Sequence, residues 1–380
     1  MKLKVLIGIL IWIITLIHCS KNISSGHETP SELITIDETK TANVHFVLKA
    51  SVESDFIAFP KIAVSPYQDK VILYGLSSAK NEKSDLVAQT YDKSLRLLNR
   101  KTFINGQGPG DVGNFNIISI GKDKLMISEN SNQRVSIYDN DWNYKTSFKY
   151  HFESDAFEIY EDGNLFVTTD YLEKGNEETY PFTMGSIYDF KMMTFFIPDY
   201  FSRYKYKGGK RLFIVNGEST SSWFYRNNKI FVLMCGSYRL IKFDSKGKEL
   251  KDVIIKVEKK KTDQSLMDDY LKDQEYYEMK HQFVLSDTVD PAATLIPLSK
   301  GFIVIRRNDY YMTCNEYADG DYFSDEFQYK GKVKVPCFHK ILQVFPDSRK
   351  NECVKFDNGF LYLVQEQDDK TVIEKWQVFE

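Results

Sequence analysis

Arg134-Val135-Ser136-Ile137-Tyr138-Asp139 is a basic residue, an alternating β-type run and an aromatic-acidic close. The same register returns in Arg239-Leu240-Ile241-Lys242-Phe243-Asp244 and in Lys375-Trp376-Gln377-Val378-Phe379-Glu380. Aromatic-acidic pairs also stand at Tyr91-Asp92 and Tyr188-Asp189, so the body of the chain repeats at intervals of about 50 residues. Turns followed by apolar runs accompany them at Asp69-Lys70-Val71, Asp123-Lys124-Leu125, Asp162-Gly163-Asn164-Leu165, Asn228-Lys229-Ile230, Lys300-Gly301-Phe302 and Asn358-Gly359-Phe360. Such tight-turn pairs between β-rich runs mark hairpins, because glycine takes positive φ without steric cost.

Each unit reads as four strands. The sequence therefore predicts an all-β fold, a six-bladed β-propeller of four-stranded antiparallel blades starting near residues 58, 115, 155, 211, 296 and 350. The fifth copy departs from the pattern, with Tyr329-Lys330 before Gly331-Lys332 in place of an aromatic-acidic pair. The last blade reaches Glu380 with three strands, and a bare sheet edge needs a cover. Val44-His45-Phe46-Val47-Leu48-Lys49-Ala50 or Leu33-Ile34-Thr35-Ile36 is the N-terminal strand predicted to complete that blade. Two stacked sandwich domains would give similar turn spacing, but no Pro/Gly-rich linker divides the chain near its middle.

The 380 residues are 42% hydrophobic and 14% aromatic, ample for a large core. Lys+Arg 50 against Asp+Glu 53 gives a net charge of -3, which removes the broad positive footprint of nucleic-acid binding. At the N-terminus, Lys2 and Lys4 precede an apolar run over residues 5–17. That run makes about 20 Å of helix, short of the ~30 Å hydrocarbon core, and reads as a signal peptide rather than a span.

The run ends in Leu16-Ile17-His18-Cys19, which resembles the lipobox of bacterial lipoproteins, with His18 where the pattern has a small residue. The resemblance implies a signal peptide over residues 1–19 with Cys19 as the lipid attachment site. An ordinary secretory signal and an uncleaved anchor are the other readings, and each exports the protein. Residues 20–32 then form a tether and residues 33–380 a single propeller domain.

The segment Gly106-Gln107-Gly108-Pro109-Gly110-Asp111 resembles the GxGPGE-type signature of six-bladed, TolB-like β-propeller lipoproteins of Gram-negative anaerobes, with Asp111 in place of the usual Glu. The runs ending at Asp139 and Asp244 are similar to NHL repeats. The resemblance implies fold and a place in the cell envelope, but no reaction. Ser20 and Lys21 after Cys19 lack an Asp retention signal, which favours the outer membrane. Read from its residues, the Gly-rich segment is not a P-loop, since no Lys-Ser/Thr pair opening a helix follows it. It reads as an interblade turn in which Gly106, Gly108 and Gly110 permit positive φ and Pro109 stiffens the crossing.

Connections between blades cluster on the channel-mouth face of a propeller, where loops carry function. Arg203-Tyr204-Lys205-Tyr206-Lys207-Gly208-Gly209-Lys210-Arg211 is the candidate ligand-binding loop, its positive charges and interleaved Tyr suited to an anionic glycan, a phosphate group or an acidic partner. A plain solvated loop is the alternative. Residues 258–295 form an insertion between the fourth and fifth of the six units, with apolar residues at 266, 267, 270, 271 and 277 and a cap at Thr262 or Asp263. This predicts one helical insertion, a lid or a brace.

Cys235, Cys314, Cys337 and Cys353 allow three pairings, and with no CxxC among them they read as buried thiols rather than a zinc site. His281 and His339 stand alone in the interblade connections. The sequence holds no GxSxG, HExxH or Cys-His motif, and Asp139, Asp189 and Asp244 recur as turn caps. No catalytic residue, metal or cofactor is assigned. The function predicted is a monomeric, envelope-tethered binding or scaffold protein that recognises an envelope protein, peptide or glycan on the channel-mouth face, with no nucleic-acid partner. A calcium-assisted hydrolase or lyase at the channel mouth is the alternative.

Overall fold

The computed structural model describes residues 32–55, 57–65, 67–77, 85–113, 116–129, 132, 134–149, 159–161, 165–169, 186–189, 194–197, 204–207, 210–215, 221–244, 248–261, 282–285, 288, 291–307, 317–336, 353–367 and 370–380. Two strands come first, β1 (Glu32–Thr35) and β2 (His45–Asp55). Blade 1 follows as β3 (Ala58–Val64), β4 (Val71–Leu76), β5 (Leu86–Tyr91) and β6 (Leu97–Phe103). Blade 2 is β7 (Asn116–Ile120), β8 (Leu125–Glu129), β9 (Arg134–Tyr138) and β10 (Tyr144–Lys149). Blade 3 is β11 (Ile159–Glu161), β12 (Leu165–Thr169), β13 (Ser186–Asp189) and β14 (Thr194–Ile197).

Next come β15 (Tyr204–Lys207) and β16 (Lys210–Val215), an antiparallel hairpin. The meander β17 (Ser221–Arg226), β18 (Lys229–Met234), β19 (Arg239–Asp244) and β20 (Glu249–Lys256) gains β1 on its outer edge and so has five strands. β21 (Gln282–Leu285) pairs in parallel with β16, making a three-stranded sheet. Blade 4 is β22 (Ala292–Pro297), β23 (Gly301–Arg306), β24 (Tyr317–Ser324) and β25 (Tyr329–Pro336). Blade 5 is β26 (Val354–Asp357), β27 (Phe360–Gln367) and β28 (Lys370–Phe379), with β2 as its fourth strand.

The fold is an all-β propeller of four-stranded antiparallel blades. Inner strands neighbour one another in the series β11, β7, β3, β26, β22, β17. Buried clusters lie between consecutive sheets. Ile72, Phe103, Ile127 and Tyr138 join blades 1 and 2, Leu73, Val87, Tyr362 and Ile373 join blades 5 and 1, and Ile303, Val335, Leu361 and Leu363 join blades 4 and 5.

The structure corrects several expectations. Where the sequence predicts six four-stranded blades, five sheets among the described residues have four strands, and β1 enlarges the β17–β20 meander to five. The described residues contain no helix, and the helical stripe over residues 262–277 lies outside them. The insertion instead supplies β21, whose apolar Phe-Val-Leu run pairs with β16. The unit predicted to start near 211 starts at Ser221, since residue 211 belongs to the β15–β16 hairpin. The fifth copy of the aromatic-acidic pair is Phe323-Ser324 at the end of β24, with Ser324 in the acid's place.

The acids close a turn used repeatedly. Asp92 Oδ1 accepts the N–H of Ser94 and of Arg96 at 2.9 Å, and Asp139 Oδ1 accepts those of Asp141 at 3.0 Å and Asn143 at 2.9 Å. Ser324 Oγ accepts Gln328 N–H at 3.2 Å, and Asp244 Oδ1 accepts Lys248 N–H at 2.9 Å. In three copies the residue before the last is left-handed yet large and apolar: Leu95 (φ 63), Trp142 (φ 65) and Phe327 (φ 60). An L-residue there costs about 1–2 kcal/mol. Burial offsets it, since all three plug the core shared with the sheet before them. Trp142 packs edge-on to Phe103 at 5.3 Å between ring centres and donates its indole N–H to Thr90 Oγ1 at 3.2 Å.

Residues 32–55 form a belt along three successive outer edges. β1 lies on β20, Thr41 bridges Lys332 of β25 in parallel, and β2 pairs antiparallel with β28 from His45↔Phe379 to Asp55↔Lys370. Both N-terminal segments singled out in the sequence are therefore employed, one on the last blade and the other on the five-stranded sheet. Ile36, Ala42 and Val44 of the belt are buried. Gly331 makes the middle passage possible: it has φ +137, and a Cβ there would stand 2.5 Å from Ala42 N and 2.6 Å from Thr41 C.

Candidate functional site

The β8–β9 hairpin sets Glu129 opposite Arg134, and both are buried beneath the Gly-rich crossing from β6 to β7. Arg134 Nε donates to both Glu129 oxygens at 2.9 Å. Its Nη1 donates to Gln107 O at 2.9 Å, and its Nη2 to Asp111 O at 2.5 Å and Gly108 O at 3.3 Å. Glu129 accepts further from Asn132 Nδ2 at 2.8 Å, from Gly113 N–H at 3.2 Å and from Ser136 Oγ. Asn132 Nδ2 also donates to Gly106 O at 3.0 Å. Burial opposes charge on Arg134, but its hydrogen bond to Glu129 and that carboxylate's charge hold it above the usual guanidinium value. The repeat's opening basic residue thus pins an interblade crossing.

Asp111 holds the crossing from the other side, its Oδ2 accepting Gly108 N–H at 3.0 Å. Gly110 takes positive φ (+85) as predicted, but Gly106 and Gly108 serve another need. A Cβ would come within 2.5 Å of Asp111 Oδ2 at Gly106 and 2.7 Å at Gly108, so these two make room for the carboxylate. The carbonyls of residues 107, 108 and 111 converge on Arg134, whereas an anion cradle needs converging N–H groups. Chemically the site is a preorganised backbone surface.

A second buried centre went unread in the sequence. Asp321 on β24 accepts Arg306 Nε and Nη2 at 2.6 Å each and Tyr238 Oη at 2.5 Å. Arg306 Nη1 donates on to both Glu38 oxygens at 3.0 Å, and Lys332 pairs with Glu38 at 2.5 Å. Burial and the Asp321 charge push the Tyr238 phenol well above its ordinary value. Hydrogen bonding from Lys332, then from Arg306, holds Glu38 below the usual carboxylate range. The signal available was Asp321 itself, an acid inside a strand-like run at Gly320-Asp321-Tyr322.

The candidate ligand-binding loop is not a loop. Tyr204, Lys205, Tyr206 and Lys207 are β15, Lys210 and Arg211 open β16, and Arg203 lies outside the described residues. The structure does not bring this hairpin together with the pinned crossing in any described contact. Alternating Tyr and Lys is a strand pattern, and the Gly-Gly pair at 208–209 separates the two strands. Cys19, His281, Cys314, Cys337 and His339 also lie outside the described residues. Cys235 and Cys353 are buried thiols, with Sγ to Ala293 O at 3.3 Å and to Pro60 O at 3.5 Å. Among the described residues no three His, Cys, Asp or Glu side chains are grouped so as to hold a metal ion.

No protein-family description matches the chain, and no curated protein matches it. Solved structures do. A member of the DUF4221 family from Bacteroides vulgatus is similar at TM-score 0.53 and 11% identity, over 90% of this chain and 100% of that one. A protein of Bacteroides fragilis described as exported is similar at TM-score 0.52 and 12% identity, over 92% of this chain and 100% of that one. At such identity the likeness is one of fold.

Proposed function

We propose that this chain is a binding or scaffold protein of the cell envelope, tethered through lipid on Cys19, that engages a partner protein, peptide or glycan on the channel-mouth face of its propeller. The observation carrying this reading is the Arg134–Glu129 centre, which fixes an interblade loop from beneath with charged groups that are themselves buried. A loop rigid before contact loses little freedom on binding, which is what a recognition surface requires. On the same reading the protein is a monomer at the outer membrane, periplasmic or surface-facing. The likeness to an exported Bacteroides protein supports an exported location. The five-stranded sheet then counts as a sixth blade of a TolB-like, NHL-like ring. β17 standing beside β22 supports that count.

The test is a panel of glycans and peptides, with the full chain compared with a Gln107→Glu variant, whose exposed side chain stands on the pinned crossing. Retention of one ligand class, weakened about tenfold or more in the variant, supports the proposal. Equal retention by both chains, or none by either, overturns it. Incorporation of labelled fatty acid, abolished in Cys19→Ser, tests the tether separately.

A further inference from the structure

The belt covers three outer edges, and β6 is the outer edge beside its end. Asp55, the last residue of β2, pairs with Arg100 of β6 at 2.5 Å. Six of the seven residues of β6 are exposed, and among the described residues no strand lies on its outer side. The exposed large apolar side chains Leu97, Leu98 and Ile104 gather on this edge. Its own charges are basic, Arg96, Arg100 and Lys101, with no acid between Lys93 and Gly110. Arg96 pairs with Asp92 at 3.1 Å and Arg100 with Asp55, while Lys101 lies 5.8 Å from the Phe103 ring centre and has no acid beside it among the described residues.

The other outermost strands with described side chains differ. β1 is four residues long, β2 carries both signs of charge, and β10 exposes no large apolar residue. Proteins usually blunt a bare edge with mixed charge, brevity or a cover. An edge that is apolar, basic and next in line after a belt of added strands is one prepared to receive another strand.

We propose that β6 is a docking edge for an extended acidic segment of a partner protein, which adds as a fifth strand to blade 1. Main-chain hydrogen bonds to β6 would supply affinity, and acidic side chains facing Lys101, and competing with the exposed Asp55 for Arg100, would set the choice of partner. This surface is separate from the channel mouth, so the inference stands or falls apart from the function proposed above.

The experiment uses the full chain and two fluorescein-labelled peptides, one alternating Glu with Val and one alternating Lys with Val, read by fluorescence anisotropy. The acidic peptide binds about tenfold or more tightly than the basic one, and its binding weakens as salt screens the charges. Lys101→Glu loses about tenfold in affinity for it. The matching change Lys149→Glu on β10 loses nothing, and both variants melt as the wild type does. Should Lys101→Glu fail to fold, Lys101→Gln carries the test, with a smaller loss in the same direction. Equal binding of the two peptides, no binding of either, or an equal loss in Lys149→Glu overturns the proposal. So does a concentration-dependent dimer, seen by sedimentation, that Lys101→Glu abolishes, since that would place a second copy on the edge.

Discussion

Blades 1 and 2 and the pair formed by blades 4 and 5 are built from the same meander, yet they finish their outer edges differently. β25 and β28 are overlaid by the belt, whereas β6 and β10 carry no further strand among the described residues. Their buried charges are spent accordingly. In blade 4, Asp321 fixes Arg306, and Arg306 reaches Glu38 of the belt. In blade 2, Glu129 fixes Arg134, and Arg134 reaches the crossing that follows blade 1. One device, a guanidinium held by a buried carboxylate, serves in one place to attach a remote segment and in the other to shape a local one.

The sharpest way to break the comparison is to remove the two carboxylates in turn. Glu129→Ala should cost about 3–5 kcal/mol in urea unfolding, because it leaves the buried Arg134 without its carboxylate, and Asp321→Ala about 2–3 kcal/mol, because Arg306 is only partly buried and keeps Glu38. The two should part in native-state hydrogen exchange. Residues 32–55 lose protection in Asp321→Ala and keep it in Glu129→Ala, and equal loss in both would end the distinction. Gly331→Ala is next, at about 2 kcal/mol, since alanine tolerates neither φ +137 nor the belt backbone at 2.5 Å. Its loss of protection should begin at residues 40–44 and leave blades 1 and 2 untouched.

Glu38→Gln should have the smallest effect, below about 1 kcal/mol at neutral pH, since the side chain is 52% exposed. Its sign with pH is fixed by the lowered carboxylate pKa. The tie is fully present above the ordinary value of 4.5 and is lost as pH falls through the lower folded-state value. The gap between wild type and variant in urea midpoint should therefore be open at neutral pH and closed in acid.

Much of the fold was legible because the repeat is local: a strand, its turn and its closing acid lie within a few residues of one another. Asp139 and Asp244 could be read as turn caps for that reason. The plugs Leu95, Trp142 and Phe327 also had a signal, a bulky apolar residue three positions after the aromatic-polar pair, but left-handed backbone is not a default inference for Trp. The belt was half legible. A missing fourth strand pointed to residues 44–50, but nothing local announces that Thr41 will cross β25, since the reason is the absent side chain of Gly331 hundreds of residues away. At the candidate site, the Gly-rich crossing could be read as a turn. The Arg134 centre could not, because its acceptors are main-chain carbonyls, which every sequence has.

The belt also sets a schedule. Residues 32–55 leave the ribosome before every strand they pair with, since β20, β25 and β28 end at Lys256, Pro336 and Phe379. The earliest strands synthesised are thus the last to be matched, and loops of this length close slowly. Until then β2 is an eleven-residue strand with two bare sides, open to wrong pairing. For this chain, guarding its first fifty residues is as much a part of reaching the native ring as the packing of any blade.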